Sequence, residues 1–224
     1  MKAATLILAI CIGLVTLGFG LGKVSAGAVF PPPTDDASIY HDSPDFNAGA
    51  HHTIWARNEY GSGGSGGWET DPLVKFDLSC ILPSTVIESA TLYLYYYYWD
   101  DNNPTGRALK LYRLTEDWDE STVTWNTQPA AASTSTSSSV VPGAYGWMTW
   151  DVTSDVRAFT DGQADNYGWK VRDENYWGSA NIPIIHFYSK EYGSYIPYLD
   201  VVVQGDDPSS IEEASWGRLR AMFR

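Results

Sequence analysis

The strictest alternation in the chain runs from Leu92 to Trp99, reading Leu-Tyr-Leu-Tyr-Tyr-Tyr-Tyr-Trp. At a period of two, Leu92, Leu94, Tyr96 and Tyr98 point to one side, and Tyr93, Tyr95, Tyr97 and Trp99 to the other. Such a strand can bury its leucines and present a row of rings on the opposite face. Flat exposed rings serve to stack on sugars or on another aromatic surface, so binding comes to mind before catalysis.

Helical periodicity is scarce elsewhere, whereas short alternating runs bounded by Gly, Pro, Asn and Asp recur. The pattern predicts an all-β fold, a jelly-roll-like antiparallel β-sandwich. Strands are expected over 38–40, 52–57, 72–77, 88–99, 108–114, 147–152, 167–171, 184–188 and 198–203. Asp100-Asp101-Asn102-Asn103-Pro104 is a turn that ends the aromatic strand. The Gly/Ser run 61–67 and the Ala/Ser/Thr run 130–139 read as flexible loops. One helix is expected over 154–160, with Val156 and Phe159 on a shared face and Gly162 just beyond.

Alternation also assigns faces. Val74, Phe76 and Leu78, then Met148, Trp150 and Val152, Trp169 and Val171, Ile185 and Phe187, and Leu199, Val201 and Val203 belong to the core. Lys75, Trp147, Lys170, Arg172, His186 and Tyr188 are left facing outward. The outward set therefore combines aromatic rings with basic side chains.

The ends differ from the middle. Lys2, the apolar stretch 3–21 and Val24-Ser25-Ala26 have the layout of a secretory signal peptide over 1–26. The alternative is an uncleaved membrane anchor. At the other end, Ser209-Ser210-Ile211-Glu212 forms a capping box ahead of a helical stripe of Ile211, Ser215, Trp216, Leu219, Met222 and Phe223. Residues 206–224 thus read as a short amphipathic C-terminal helix, either docked on the sandwich or acting as a sorting tag. Residues 27–205 form the domain between them.

The chain carries a net charge of −13, and removal of Lys2 and Lys23 with a signal would bring it to −15. That charge argues against a nucleic-acid partner and suits a protein secreted or held at the cell surface. Cys80 would then be the single cysteine, expected as a buried, inert thiol with no disulfide.

Three clusters carry possible chemistry. Glu116, Asp117, Asp119 and Glu120 form an acidic turn beside Trp118 and Trp125. A glycosidase needs two carboxylates held about 5–5.5 Å or 6.5–9.5 Å apart. Solvated or backbone-capping carboxylates explain the same turn. His41, His51 and His52 fit no zinc signature, and adjacent strand residues diverge. Asp42, Asp45 and Asn47 offer hard oxygen ligands for a structural calcium, as do Asp100, Asp101 and Asn102. No nucleophile elbow or phosphate loop occurs.

Four stretches carry a resemblance. They are Leu73-Val74-Lys75-Phe76-Asp77-Leu78-Ser79, Ala90-Thr91-Leu92-Tyr93-Leu94-Tyr95, the segment from Thr115 to Asn126 that reads TEDWDESTVTWN, and the segment from Gly146 to Val156 that reads GWMTWDVTSDV. In order and character they resemble the DNRLRE-type domain, related to disaggregatase-associated domains and to carbohydrate-binding module family 96. The resemblance spans about 37–204, although the six-residue string that gives the domain its name is missing. It implies a secreted sandwich attached to polysaccharide-acting or envelope proteins, and non-catalytic glycan binding, with alginate as one ligand. A polyanion would need a basic strip, which Lys75, Lys110, Arg113, Lys170 and Arg172 can supply, against the surrounding negative charge.

The function expected is that of a secreted, non-catalytic module recognising an extracellular polysaccharide. Its ligand-binding residues would be Tyr93, Tyr95, Tyr97, Trp99, Lys75, Arg113, Lys170 and Arg172. A structural envelope or matrix protein and a polysaccharide lyase or hydrolase are the alternatives.

Overall fold

The computed structural model of the protein describes residues 12–14, 27–58, 67–83, 85–175 and 182–204. The strands are β1 (Ile12–Leu14), β2 (Gly27–Phe30), β3 (Pro33–Tyr40), β4 (Thr53–Arg57), β5 (Thr70–Phe76), β6 (Ile87–Asp100), β7 (Ala108–Arg113), β8 (Ser137–Val140), β9 (Gly146–Asp151), β10 (Trp169–Asp173), β11 (Ile184–Tyr188) and β12 (Tyr198–Val203). One helix, α1 (Thr153–Thr160), follows β9, and a 3₁₀ turn spans Lys190–Tyr192. The pairing is antiparallel throughout, in a strongly curled sheet that makes an all-β, sandwich-like fold.

β6 organises one wall. Its 14 residues are long enough to pair with β9 along one edge and with β12 and then β11 along the other. Leu92, Leu94 and Tyr96 from β6 meet Met148 and Trp150 from β9, Phe187 from β11 and Leu199 and Val201 from β12 in the main core. Val74, Phe76, Leu109, Leu111, Trp169 and Val171 from β5, β7 and β10 close it from the other wall. Each fully buried Leu, Val or Phe contributes about 1.5–3 kcal/mol of transfer free energy before conformational entropy is counted. The two core tryptophans keep their N–H groups bonded, Trp150 to the Leu109 carbonyl (3.0 Å) and Trp169 to Asp155 Oδ2 (2.9 Å).

A second, smaller cluster lies on the far face of β3 and β5. Ala37, Ile39 and Leu73 are covered there by Leu114, Trp118 and Val123. The segment TEDWDESTVTWN is therefore a lid over a sheet, fixed by Trp118 Nε1 donating to the Tyr167 carbonyl (2.8 Å).

The expected strands are all present, with ends moved by a few residues, and the helix falls within one residue of its predicted start. Four short elements escaped the pattern: β1, β2, β8 and the 3₁₀ turn. Ser137–Val140 pairs with β7 inside the run expected to be a flexible loop, since Ala and Ser carry little alternation. Gly27–Phe30 adds to the edge of β12. The Gly/Ser run lies outside the described residues, apart from Gly67, as does the tail helix expected over 206–224. Cys80 is disulfide-bonded, which corrects the inert thiol expected of it. The other cysteine, Cys11, lies outside the described residues.

Candidate functional site

The outward face of β6 is an aromatic sheet. Tyr93 and Tyr198 face each other across the β6–β12 pair and stack, with centroids 4.2 Å apart and planes 8° from parallel. Tyr95 lies opposite Trp147 of β9, edge to face at 5.1 Å. Tyr97 stacks on Tyr188 of β11 at 4.1 Å, and Tyr188 in turn on Tyr192 at 3.8 Å. Tyr195 leans on Tyr95 at 4.4 Å. Tyr98, His186 and Trp55 continue the surface towards β4.

Exposure is uneven. Tyr93, Tyr95 and Tyr97 are half-buried beneath their neighbours. Tyr98, Trp147, Tyr192 and Tyr195 are exposed, Trp147 at 39% and Tyr195 at 54%. The expected tyrosine ladder is thus the base of the surface, and Trp147, Tyr192 and Tyr195 form much of its top. Tyr188, Tyr192, Tyr195 and Tyr198 were missed as site residues. Their signal was available in the sequence as recurring tyrosines over 188–198, but only the fold shows that this segment lies beside β6.

Trp99 requires a correction. In the β6–β11 pairing Phe187 opposes Tyr96 and His186 opposes Tyr98, so Tyr97 is an extra residue on β6. This bulge reverses the alternation beyond it. Trp99 comes opposite Ile185 and packs on the core, while Tyr98 turns out with 46% exposure. A strict period of two cannot anticipate a bulge inside a continuous aromatic run.

Four hydroxyls on this surface, those of Tyr97, Tyr98, Tyr188 and Tyr198, hold their protons more tightly than a free tyrosine. Burial raises Tyr97, and burial with neighbouring Tyr93 raises Tyr198 to about 12. The hydrogen bond to Tyr192 raises Tyr188 to about 12. Tyr98 is raised by its hydrogen bond to Asp100. Burial lowers the His186 imidazole although Asp100 Oδ2 sits 2.9 Å from its Nε2. These four hydroxyls and the His186 ring are therefore neutral at physiological pH.

The basic residues expected beside the ladder lie elsewhere, on β5, β7 and β10, and none of these strands pairs with β6. Their charges are also engaged. Lys75 binds Asp117 (2.8 Å), and Arg113 reaches Asp155 (3.8 Å). Lys170 is buried and contacts Asp71 (3.7 Å) and Gln128 (3.1 Å). Arg172 bridges Glu69, Asp71 (3.4 Å) and Glu174 (3.8 Å). Lys110 binds Glu174 at 2.5 Å. The strip is a set of ion pairs over the second wall, and Arg113 belongs to the core side because it follows Leu109 and Leu111.

The acidic turn is occupied by structural bonds. Glu116 accepts the Ala130 amide (3.0 Å), Asp119 accepts from Ser121, and Glu120 Oε1 accepts the Asp36 amide (2.7 Å). Asn47, offered as a calcium ligand, is tied to the acidic turn through its side-chain nitrogen. Its amide donates to the Glu120 and Val123 carbonyls, both at 2.8 Å, and Asp45 accepts from Asn126 (2.8 Å). Among the described residues, the acidic trio with oxygens within 4.8 Å of one another is Asp36, Glu120 and Glu191. The Lys190 ammonium sits among them, bonded to Glu120 (2.7 Å) and Glu191. Burial pushes the Asp36 carboxyl well up, and Glu191 adds to the effect.

An all-β scaffold with a broad, partly exposed aromatic surface and structurally committed carboxylates is suited to holding a ligand. No curated protein matches the chain. Residues 28–203, most of its length, match the model of carbohydrate-binding module family 96, and the protein belongs to that family.

Proposed function

We propose that this protein is a secreted, non-catalytic module that recognises an extracellular polysaccharide through the aromatic face of β6. Membership of a carbohydrate-binding family supports the ligand class. The exposed Tyr98, Trp147, Tyr192 and Tyr195, held on stacked rings beneath them, carry the reading. Rings already fixed by their neighbours lose little rotamer freedom when a sugar stacks on them, which favours affinity. The kinship with DNRLRE-type and disaggregatase-related domains belongs to the same reading and rests on the four sequence stretches. Affinity electrophoresis through gels containing soluble polysaccharides tests it. The native protein is expected to be retarded by at least one polysaccharide, and a Trp147→Ala, Tyr195→Ala variant to run free. Equal retardation of both would remove the aromatic face from the account.

A further inference from the structure

Resting on that reading, we infer that the aromatic face selects a polysaccharide of aminated sugars over one of uronic acids. The charges at the end of the face point this way. Below the Thr149–Tyr93–Tyr198 row, the next outward row across β9, β6 and β12 is Asp151, Thr91 and Asp200, in direct register. That row lies about 7 Å along the strand from Tyr93, two residues at the usual rise. A sugar laid on the exposed Trp147, which stands edge to face with Tyr93 and Tyr198, would have its next substituents over the two carboxylates.

Neither carboxylate has an ion-pair partner within 4 Å among the described residues. Asp200 is half-buried, and its Oδ1 is buried with no hydrogen-bond partner among the described residues. Burial raises its pKa, the mark of a carboxylate without compensation. Asp151 uses Oδ1 to accept the Thr153 amide (2.9 Å) and hydroxyl (2.6 Å). Arg157 donates to the Ile87 and Glu88 carbonyls, and its charge adds only the last contribution that holds the Asp151 carboxyl low, after the Thr153 hydrogen bonds. Arg57, at the opposite end of the face, is bound to Asp101 (3.1 Å) and lies over Trp68.

A sugar ammonium would give Asp200 a charge-assisted hydrogen bond. It would also be drawn to the negative π-face of the exposed Trp147 indole. A uronate would instead meet two carboxylates and the same π-face. The aromatic rings supply stacking for either polymer, and the carboxylate row discriminates between them.

Titration calorimetry at pH 6 with hexamers of β-1,4-linked glucosamine, N-acetylglucosamine, glucose and mannuronate tests the inference. The glucosamine hexamer is expected to bind at least tenfold tighter than its acetylated counterpart, and the mannuronate hexamer weakest. Asp200→Asn should erase the preference for the amine while leaving binding of the glucose hexamer intact. Asp151→Asn, at an exposed position, should reduce the preference without disturbing the core. Equal or tighter mannuronate binding, or a preference that survives both variants, overturns the inference and leaves glycan binding standing. Failure of every hexamer to bind would overturn both.

Discussion

Tyr97 stacks on Tyr188 with planes 6° apart, although no residue of β11 lies opposite Tyr97 in the ladder. The extra residue in β6 widens the aromatic surface at this point and turns the next two side chains over. One backbone irregularity thereby places Tyr98 in solvent and Trp99 against the core.

The reversal predicts opposite phenotypes for neighbouring residues. Trp99→Ala should lower stability by about 3 kcal/mol, as for truncation of a core aromatic, and leave glycan affinity unchanged. Tyr98→Ala should leave stability nearly unchanged and weaken binding. Urea denaturation and calorimetric titration of the two variants check this pair.

The exposed tops of the aromatic surface should be separable from its base. Trp147→Ala, Tyr195→Ala is expected to cost about 1–2 kcal/mol, the worth of a few ring–ring contacts, and to abolish binding. Tyr95→Ala should cost more, because Tyr95 is half-buried and touches Trp147, Tyr188 and Tyr195. Thermal melts followed by near-ultraviolet dichroism read both effects.

Buried carboxylates shape the pH dependence of stability. Burial, reinforced by Glu69, holds the Asp71 carboxyl well above its ordinary range, against the pull of Lys170 and Arg172. A carboxyl raised in the folded state binds its proton more tightly there than when unfolded. Its contribution is therefore present in acid and lost as pH rises from about 4 through the raised value. Asp117, Asp119 and Asp151 act oppositely. Hydrogen bonds hold them low, so their contribution is present above about 4 and lost in acid. Asp71→Asn should thus flatten the decline in melting temperature between pH 5 and pH 8 expected of the native chain, on the order of the linkage scale. An unchanged slope would show that Asp71 is ionised throughout that range.

Close approach at Gly49 ties the acidic turn to the β3–β4 connection. A Cβ at this position would lie 2.1 Å from the Glu120 carbonyl oxygen. Gly49→Ala should displace the turn and destabilise the protein by about 1–3 kcal/mol, as overpacking does. Its glycan affinity should be unaltered, since the turn covers the other wall. Chemical denaturation and the binding assay together separate these outcomes.

The sequence made the strands legible because each buries one side, and alternation reports burial directly. Leu92, Leu94, Met148, Trp150, Leu199 and Val201 sit in the core where their period placed them. It was less informative where two signals overlapped. In Tyr95-Tyr96-Tyr97-Tyr98-Trp99 every residue can serve as core or as surface, so nothing in the pattern marks the bulge. Lys170 shows a second limit. It points away from the main core as predicted, yet it is buried on that outer face, against Gln128 and the Asp71 carboxylate of β5. Parity along a strand assigns a side chain to a face, while tertiary covering decides whether that face is open.

A residue-resolved NMR titration with the glucose and glucosamine hexamers tests the central claim most directly. The account predicts shifts at the Trp147 indole N–H and at the amides of Tyr93, Tyr95, Tyr97, Tyr188, Tyr195 and Tyr198, with Lys75, Lys170 and Arg172 unmoved. Shifts centred on Lys75, Lys170 and Arg172, with the aromatic face silent, would contradict it.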